Sequence, residues 1–232
     1  MMLQAIELTK KYGGQTALDR LNLSVEPGEV FCLLGQNGAG KTTTINLFLG
    51  FTAASSGQAL VNGVLVSPNQ ADTKRFLAYI PEVVMLYANL TSLENLDFFS
   101  RIAGFQYKRA ELEQYLLQAG LQPEAFHKRV GNYSKGMRQK VGIAIAVAKN
   151  AGVILMDEPT SGLDPKATHE FSEIVKQLSA SGKTVFMATH DIFNAVNVGT
   201  RIGIMRQGAL VHTLNAKDIS AGDLQKLYLE TI

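Results

Sequence analysis

The chain predicts an α/β fold built on a mostly parallel sheet, and three observations carry that prediction. Apolar runs at Phe31–Leu34, Val153–Met156 and Thr184–Thr189 read as short buried strands. Helical patterns alternate with them, the signature of a parallel sheet covered on both faces. Each run also ends in a chemically loaded segment: Gly35 to Thr42 after Leu34, Asp157-Glu158 after Met156, and His190-Asp191 after Thr189. Ligands of such folds bind outside the carboxyl ends of the strands, so the three loaded ends are expected to meet on one edge.

The first loaded end is the most specific. Gly35-Gln36-Asn37-Gly38-Ala39-Gly40-Lys41-Thr42 satisfies every fixed position of GxxxxGK[ST], and a helix pattern follows from Lys41 through Leu49 to Gly50. The glycines let the backbone curl so that successive N–H groups face phosphate oxygens, and the helix N-terminus adds the positive end of its dipole. The ligand this predicts is a nucleoside triphosphate, with Lys41 neutralising its β- and γ-phosphates and Thr42 ligating Mg2+. An ordinary glycine turn before a helix would not require Lys-Thr after its last glycine.

Further along, the pattern turns helical. Thr91-Ser92-Leu93-Glu94 is a capping box whose helix stops at Gly104, a second helix runs from Arg109 to Gly120, and a third runs from Arg138 through Lys149 behind Ser134. The strand at Val153–Met156 then delivers two carboxylates. An Asp at a strand end can hold a water of the Mg2+ shell and the next residue can reach an attacking water, so Asp157 is read as the metal residue and Glu158 as the general base. Asp164-Pro165 caps and opens a helix that runs to Ser181-Gly182. Gln207-Gly208 reads as a hairpin turn between Ile202–Met205 and Ala209–Val211.

Composition narrows the range of partners. With 232 residues, 46% of them hydrophobic, the chain can bury a sizeable core as one domain or a domain with a subdomain. Its 22 basic and 20 acidic residues leave a net charge of +2, too little to point to nucleic acid or an anionic membrane surface. Cys32, the single cysteine, lies in a predicted core strand, so no intramolecular disulfide forms and a reducing compartment is the natural reading. No stretch of about 18 apolar residues occurs, and the start lacks a leader pattern, so the chain is expected neither to enter nor to span a membrane by itself.

Pro159-Thr160-Ser161-Gly162-Leu163-Asp164 and Ala188-Thr189-His190-Asp191 complete a set that resembles, over essentially the entire chain, the nucleotide-binding subunits of ABC transporters. The resemblance implies a P-loop NTPase (RecA-like) core with an N-terminal antiparallel β portion. A helical subdomain at about 85–148 would be inserted before the signature motif, all within one ABC-type ATPase domain spanning 1–232. Gly35, Gln36, Asn37, Gly38, Ala39, Gly40, Lys41, Thr42 and Thr43 then form Walker A, and Val153 to Asp157 Walker B. Glu158 matches the catalytic glutamate, Ser161 to Asp164 the D-loop, and His190 the switch histidine at the γ-phosphate, so catalysis falls to Glu158, His190 and Lys41. Tyr12, in Lys10-Lys11-Tyr12-Gly13, looks like the aromatic that stacks on adenine.

Two segments depart from the family's pattern. Tyr133-Ser134-Lys135-Gly136-Met137 is similar to the signature LSGGQ, keeping its serine and second glycine; Ser134 and Gly136 would face a phosphate bound by another subunit. Glu82, after Leu77-Ala78-Tyr79-Ile80-Pro81, stands where the family usually places a glutamine near Mg2+, and a carboxylate can still ligate the metal or its water. Thr42, Glu82 and Asp157 are therefore the implied metal set. Glu82, Tyr133, Lys135 and Met137 also look like the bacterial ABC-2-type subfamily, whose members mostly support export.

The resemblance implies an ATP- and Mg2+-dependent engine, a homodimer or a pair with a paralogous subunit. It would drive a separate integral-membrane permease from the cytoplasmic face of the cytoplasmic membrane, with no nucleic acid expected. Phe98, Phe99, Phe105 and Tyr107 are candidates for the groove that receives the permease, against the plainer expectation that aromatics at helical spacing are core. A soluble ABC ATPase of translation or DNA maintenance is the alternative, but such proteins resemble fused domains or one domain split by a long coiled coil. A GTPase or kinase would need its own recognition motif, and no NKxD occurs.

Overall fold

The computed structural model describes residues 1–68 and 71–232. The three apolar runs form strands β3 (Val30–Gly35), β7 (Val153–Asp157) and β8 (Thr184–Thr189), joined by β6 (Leu77–Ile80), β9 (Arg201–Arg206) and β10 (Ala209–Asn215) in a sheet of order β10-β9-β3-β8-β7-β6. All neighbours in it are parallel except β10 on β9. A second, antiparallel sheet has the order β2-β1-β4-β5, from β1 (Leu3–Tyr12), β2 (Gln15–Val25), β4 (Ser56–Val61) and β5 (Val64–Leu65).

Every residue of β3, β7 and β8 is buried, because the sheet is covered on both faces and side chains alternate between them. Cys32, Leu34, Ile154, Met156, Val185 and Met187 join the core beneath the helices on one side. Phe31, Leu33, Leu155 and Phe186 join the core shared with the antiparallel sheet and helix α1 (Lys41–Phe48). There Phe31 stacks on Phe186 at 5.8 Å and Phe48 meets Phe186 edge-on at 5.9 Å, which fixes α1 against the sheet.

Helices α2 (Ser92–Ile102), α3 (Arg109–Gln118) and α4 (Lys135–Ala148) stand between β6 and β7. The capping box at Thr91 and Glu94 is formed in both directions. Helix α4 begins three residues before the expected Arg138, because the Ser134 hydroxyl accepts the Met137 N–H and starts the helix directly behind it. Asp164 caps α5 (Pro165–Ala180) as expected, accepting the Ala167 N–H at 2.8 Å.

Helices α6 (Ile192–Val198) and α7 (Ala221–Thr231) were not anticipated by the sequence reading. Strand β10 runs four residues beyond the expected Val211, because an edge strand alternates exposed and partly buried positions instead of presenting a continuous apolar run. No helix among the described residues is long and apolar enough to cross a membrane.

Candidate nucleotide site

Strand β3 ends at Gly35 and α1 begins at Lys41, so the intervening loop is held at both ends by core elements. Gly40 has φ 109°, and a Cβ there would lie 2.7 Å from the Ala17 carbonyl oxygen, so only glycine fits. Helix α1 carries neither a side-chain cap nor an acidic residue in its first turn. Its first N–H groups and dipole thereby suit an anion. Lys41 is buried, and its Nζ donates to the carbonyls of Gly35 at 2.7 Å and Gln36 at 3.3 Å.

The second strand end meets the loop through two contacts. Thr42 Oγ1 donates to Asp157 Oδ2 at 2.9 Å, and Lys41 Nζ lies 3.3 Å from Glu158 Oε1. That approach has the distance of an ion pair without the alignment of a hydrogen bond, so Oε1 remains a buried oxygen with no hydrogen-bond partner. Asp157 Oδ1 is likewise buried and unpartnered. Burial pushes the Asp157 carboxyl above its ordinary range; the Thr42 hydroxyl and Lys41 charge oppose this, while the Glu158 and Glu82 charges add to it.

Glu158 sits at φ 46°, the left-handed region rarely adopted by a non-glycine residue, and its N–H donates to the Ala188 carbonyl at 2.8 Å. This conformation turns the side chain back from the strand end towards the third loaded segment. Glu158 Oε2 accepts the His190 N–H at 3.2 Å and stands 2.7 Å from His190 Nδ1. Lys41 and His190 thus hold the two oxygens of one carboxylate from opposite sides.

A cavity of about 390 Å3 opens over these groups. It is lined by Tyr12, Gln36, Asn37, Gly38, Gly40, Lys41, Thr42, Thr43, Glu82, Asp157 and Glu158, which brings most of the sequence-predicted residues together. Gly35 and Ala39 are buried and do not line it; a Cβ on Gly35 would stand 2.8 Å from the Met205 carbonyl oxygen. Tyr12 is half exposed at the end of β1, with the Lys10 ammonium 4.7 Å from its ring centre. Ser134 and Gly136 are not among the lining residues; they stand at the start of α4.

Sequence reasoning missed Gln15 and Ala17, which also line the cavity. Their signal was the Gly13-Gly14 turn, which folds β2 back on β1 and sets Gln15 opposite Tyr12. Among the described residues no group of three or more His, Cys, Asp and Glu side chains has metal-holding geometry. A hydroxyl and one orphaned carboxylate oxygen fit Mg2+, a cation that binds through one or two carboxylates, substrate phosphates and water.

A second concavity, of about 380 Å3, is apolar and lies elsewhere, lined by Leu49, Phe51, Tyr79, Phe99, Ile102 and Ile145 among others. Of the four aromatics expected in a docking groove, Phe99 alone lines it. Phe98 packs edge-on against Tyr87 at 4.9 Å, and Phe105 stacks on Tyr107 at 6.0 Å. The Tyr107 hydroxyl donates to the Ala148 carbonyl at 2.6 Å, which anchors that pair to the end of α4 instead.

A glycine-rich loop from strand to helix, facing a carboxylate pair at the end of β7, one strand beyond β8, defines the class: a P-loop NTPase. The profile of the ABC transporter family matches residues 18–161. The chain is 36% identical over 214 residues to the bacitracin transport ATP-binding protein BcrA of Bacillus licheniformis, covering 92% of this chain and 69% of that protein. It is 35% identical over 212 residues to the linearmycin resistance ATP-binding protein LnrL of Bacillus subtilis, covering 90% and 68%. Among solved structures, an ATP-binding subunit of an ABC transporter superimposes with TM-score 0.83 at 30% identity, covering 99% of both chains. The dimeric cassette MJ0796 bound to ADP and Pi gives TM-score 0.81 at 27% identity, covering 93% of this chain and 99% of that one. The chain belongs to the ABC transporter family as an ATP-binding, ATP-hydrolysing subunit.

Proposed function

We propose that this subunit dimerises on ATP and drives a separate integral-membrane permease of the ABC-2 type, for export, from the cytoplasmic face of the cytoplasmic membrane. The observation that carries the reading is the division of the site. Lys41, Asp157 and Glu158 share one cavity, whereas the signature residues Ser134 and Gly136 stand outside it. A second copy, or a paralogue, would bring its own signature segment to close the phosphate site. The names of relatives that act in bacitracin transport and linearmycin resistance favour export, and the similar cassette solved as a dimer favours association.

In this reading the whole of 1–232 acts as one ATPase domain, with the helices between β6 and β7 as its subdomain. Tyr12 stacks on adenine, and the backbone of residues 36–43 with Lys41 holds the phosphates. Thr42, Asp157 and Glu82 would hold Mg2+, which would neutralise charge across the phosphate oxygens. Glu158 takes the proton of the attacking water, and His190 keeps its carboxylate oriented while contacting the γ-phosphate. The apolar concavity at Phe99 and Ile145 receives the permease.

Light scattering on size-exclusion fractions of Glu158→Gln, with and without Mg-ATP, tests this. The variant should lose at least about 100-fold in turnover, the scale of removing one catalytic group, and shift to a dimer with ATP. A persistent monomer that still binds ATP would end the homodimer reading, and near-normal turnover would remove Glu158 as base.

A further inference from the structure

Glu82 and Lys135 are charged where the resembling patterns carry an amide and a glycine, and in the fold they meet. Lys135 Nζ, on the first residue of α4, lies 3.7 Å from Glu82 Oε1. The same oxygen accepts the Ser161 hydroxyl at 2.9 Å. Beneath them, Gln139 Nε2 donates to the carbonyl oxygens of Glu82 at 3.2 Å and Pro81 at 3.4 Å. One residue is therefore tied by its side chain to the segment after β7 and by its backbone to α4.

Glu82 nevertheless lines the cavity of Lys41, Thr42 and Asp157. Three carboxylates thus line it beside Lys41, an arrangement that repels a polyphosphate unless a cation offsets them. Lys135, which is not among the lining residues, sets its ammonium 3.7 Å from Glu82 Oε1, the oxygen that also accepts the Ser161 hydroxyl. The side chains of Lys135 and Glu82 are 32% and 51% exposed, so the pair is of the weak, solvent-screened kind that a divalent ion can replace.

We propose that Lys135 is a positioning residue: with Ser161 it engages the Glu82 carboxylate and competes with Mg2+ for it, so that loading the site with Mg-nucleotide would release this contact. Lys135 thereby sets the Mg2+ demand of the site and links the start of α4 to its occupancy. The proposal rests on the reading of Thr42, Asp157 and Glu82 as the Mg2+ site.

The test is equilibrium binding of a fluorescent ATP analogue titrated with Mg2+, without turnover. Lys135→Met should lower the Mg2+ concentration at half-maximal binding roughly 1.5- to five-fold, the range an exposed ion pair supplies. Lys135→Arg should restore the midpoint of the unmodified chain, and in a Glu82→Gln background Lys135→Met should leave the midpoint unmoved. A Lys135→Met protein that melts like the unmodified chain and keeps its Mg2+ midpoint would overturn the proposal, as would an equal shift in the Glu82→Gln background. If the unmodified chain binds the analogue with no Mg2+ dependence, the metal-site reading fails and the proposal falls with it.

Discussion

Two concavities of nearly the same size, about 390 Å3 over Lys41 and about 380 Å3 beside Ile145, are built in opposite ways. The first is made of strand ends and one loop, and its polar groups already hold one another: Lys41 with Gly35 and Glu158, Thr42 with Asp157, His190 with Glu158. The second is lined mostly by apolar side chains from the turn after α1 and from β6, α2 and α4, with Phe51 and Ile102 largely exposed. The contrast teaches a division of labour. Chemistry sits where the parallel sheet fixes the backbone, whereas the helices leave uncovered the apolar surface proposed above for docking.

The comparison breaks most visibly at Lys41. Lys41→Ala removes the phosphate-facing ammonium and leaves Glu158 without its buried counter-charge, so ATP affinity should fall by roughly 100-fold or more, measured by calorimetric titration. The apolar concavity does not include Lys41, so the membrane-bound fraction of nucleotide-free protein in cell lysates should stay as it was. Tight ATP binding by the variant would undo the phosphate-loop reading.

The converse variant is Ile102→Glu. Ile102 is exposed, so the substitution should leave folding stability nearly unchanged. Losing a buried Ile side chain from the docked state, at about 1.5–3 kcal/mol, should weaken membrane recruitment roughly 10- to 100-fold, with ATP affinity within about two-fold of the parent. Unaltered sedimentation with membranes would assign the docking role to another surface.

The same contrast explains what was legible in the sequence. The phosphate cavity is written in contiguous words, Gly35 to Thr42 and Asp157-Glu158, because a strand end and the turn after it place neighbouring residues at one spot. The apolar concavity gathers residues from Leu49 to Lys149 that no local pattern joins, so proximity in sequence pointed to Phe98, Phe105 and Tyr107, which pack elsewhere. Glu82 was legible as a lining residue, but its pairing with Lys135 and Ser161 was not. Three segments far apart in the chain meet there only after β6, α4 and the turn behind β7 are packed. Helix α7 was illegible because only Leu224 and Tyr228 among its buried positions are apolar, too short a stripe to announce a helix.

The smallest expected effect separates the two regions by pH. Burial, with the added charge of Glu158 and Glu82, holds the Asp157 carboxyl above its ordinary range in the folded chain. A group whose folded value is raised binds its proton more readily folded than unfolded. Its stabilising contribution is complete below the unfolded value, about 3.9, and is lost as pH rises through the folded value. At neutral pH the nucleotide-free protein therefore carries a buried carboxylate at a cost. Asp157→Asn removes that charge and keeps an oxygen for the Thr42 hydroxyl. The variant should melt a few degrees above the parent at neutral pH, and the gap should close as pH falls towards about 4. Ile102→Glu, in solvent, should show no comparable pH-dependent gap. Adding Mg-ATP should reverse the order at neutral pH, because the parent gains a metal partner for the orphaned Oδ1 that the amide cannot match. A parent that melts higher than Asp157→Asn at neutral pH without ligand would mean that the attraction of Lys41 and the Thr42 hydrogen bond outweighs desolvation, and the carboxylate would then be a structural anchor of the loop rather than a strained group held ready for a cation.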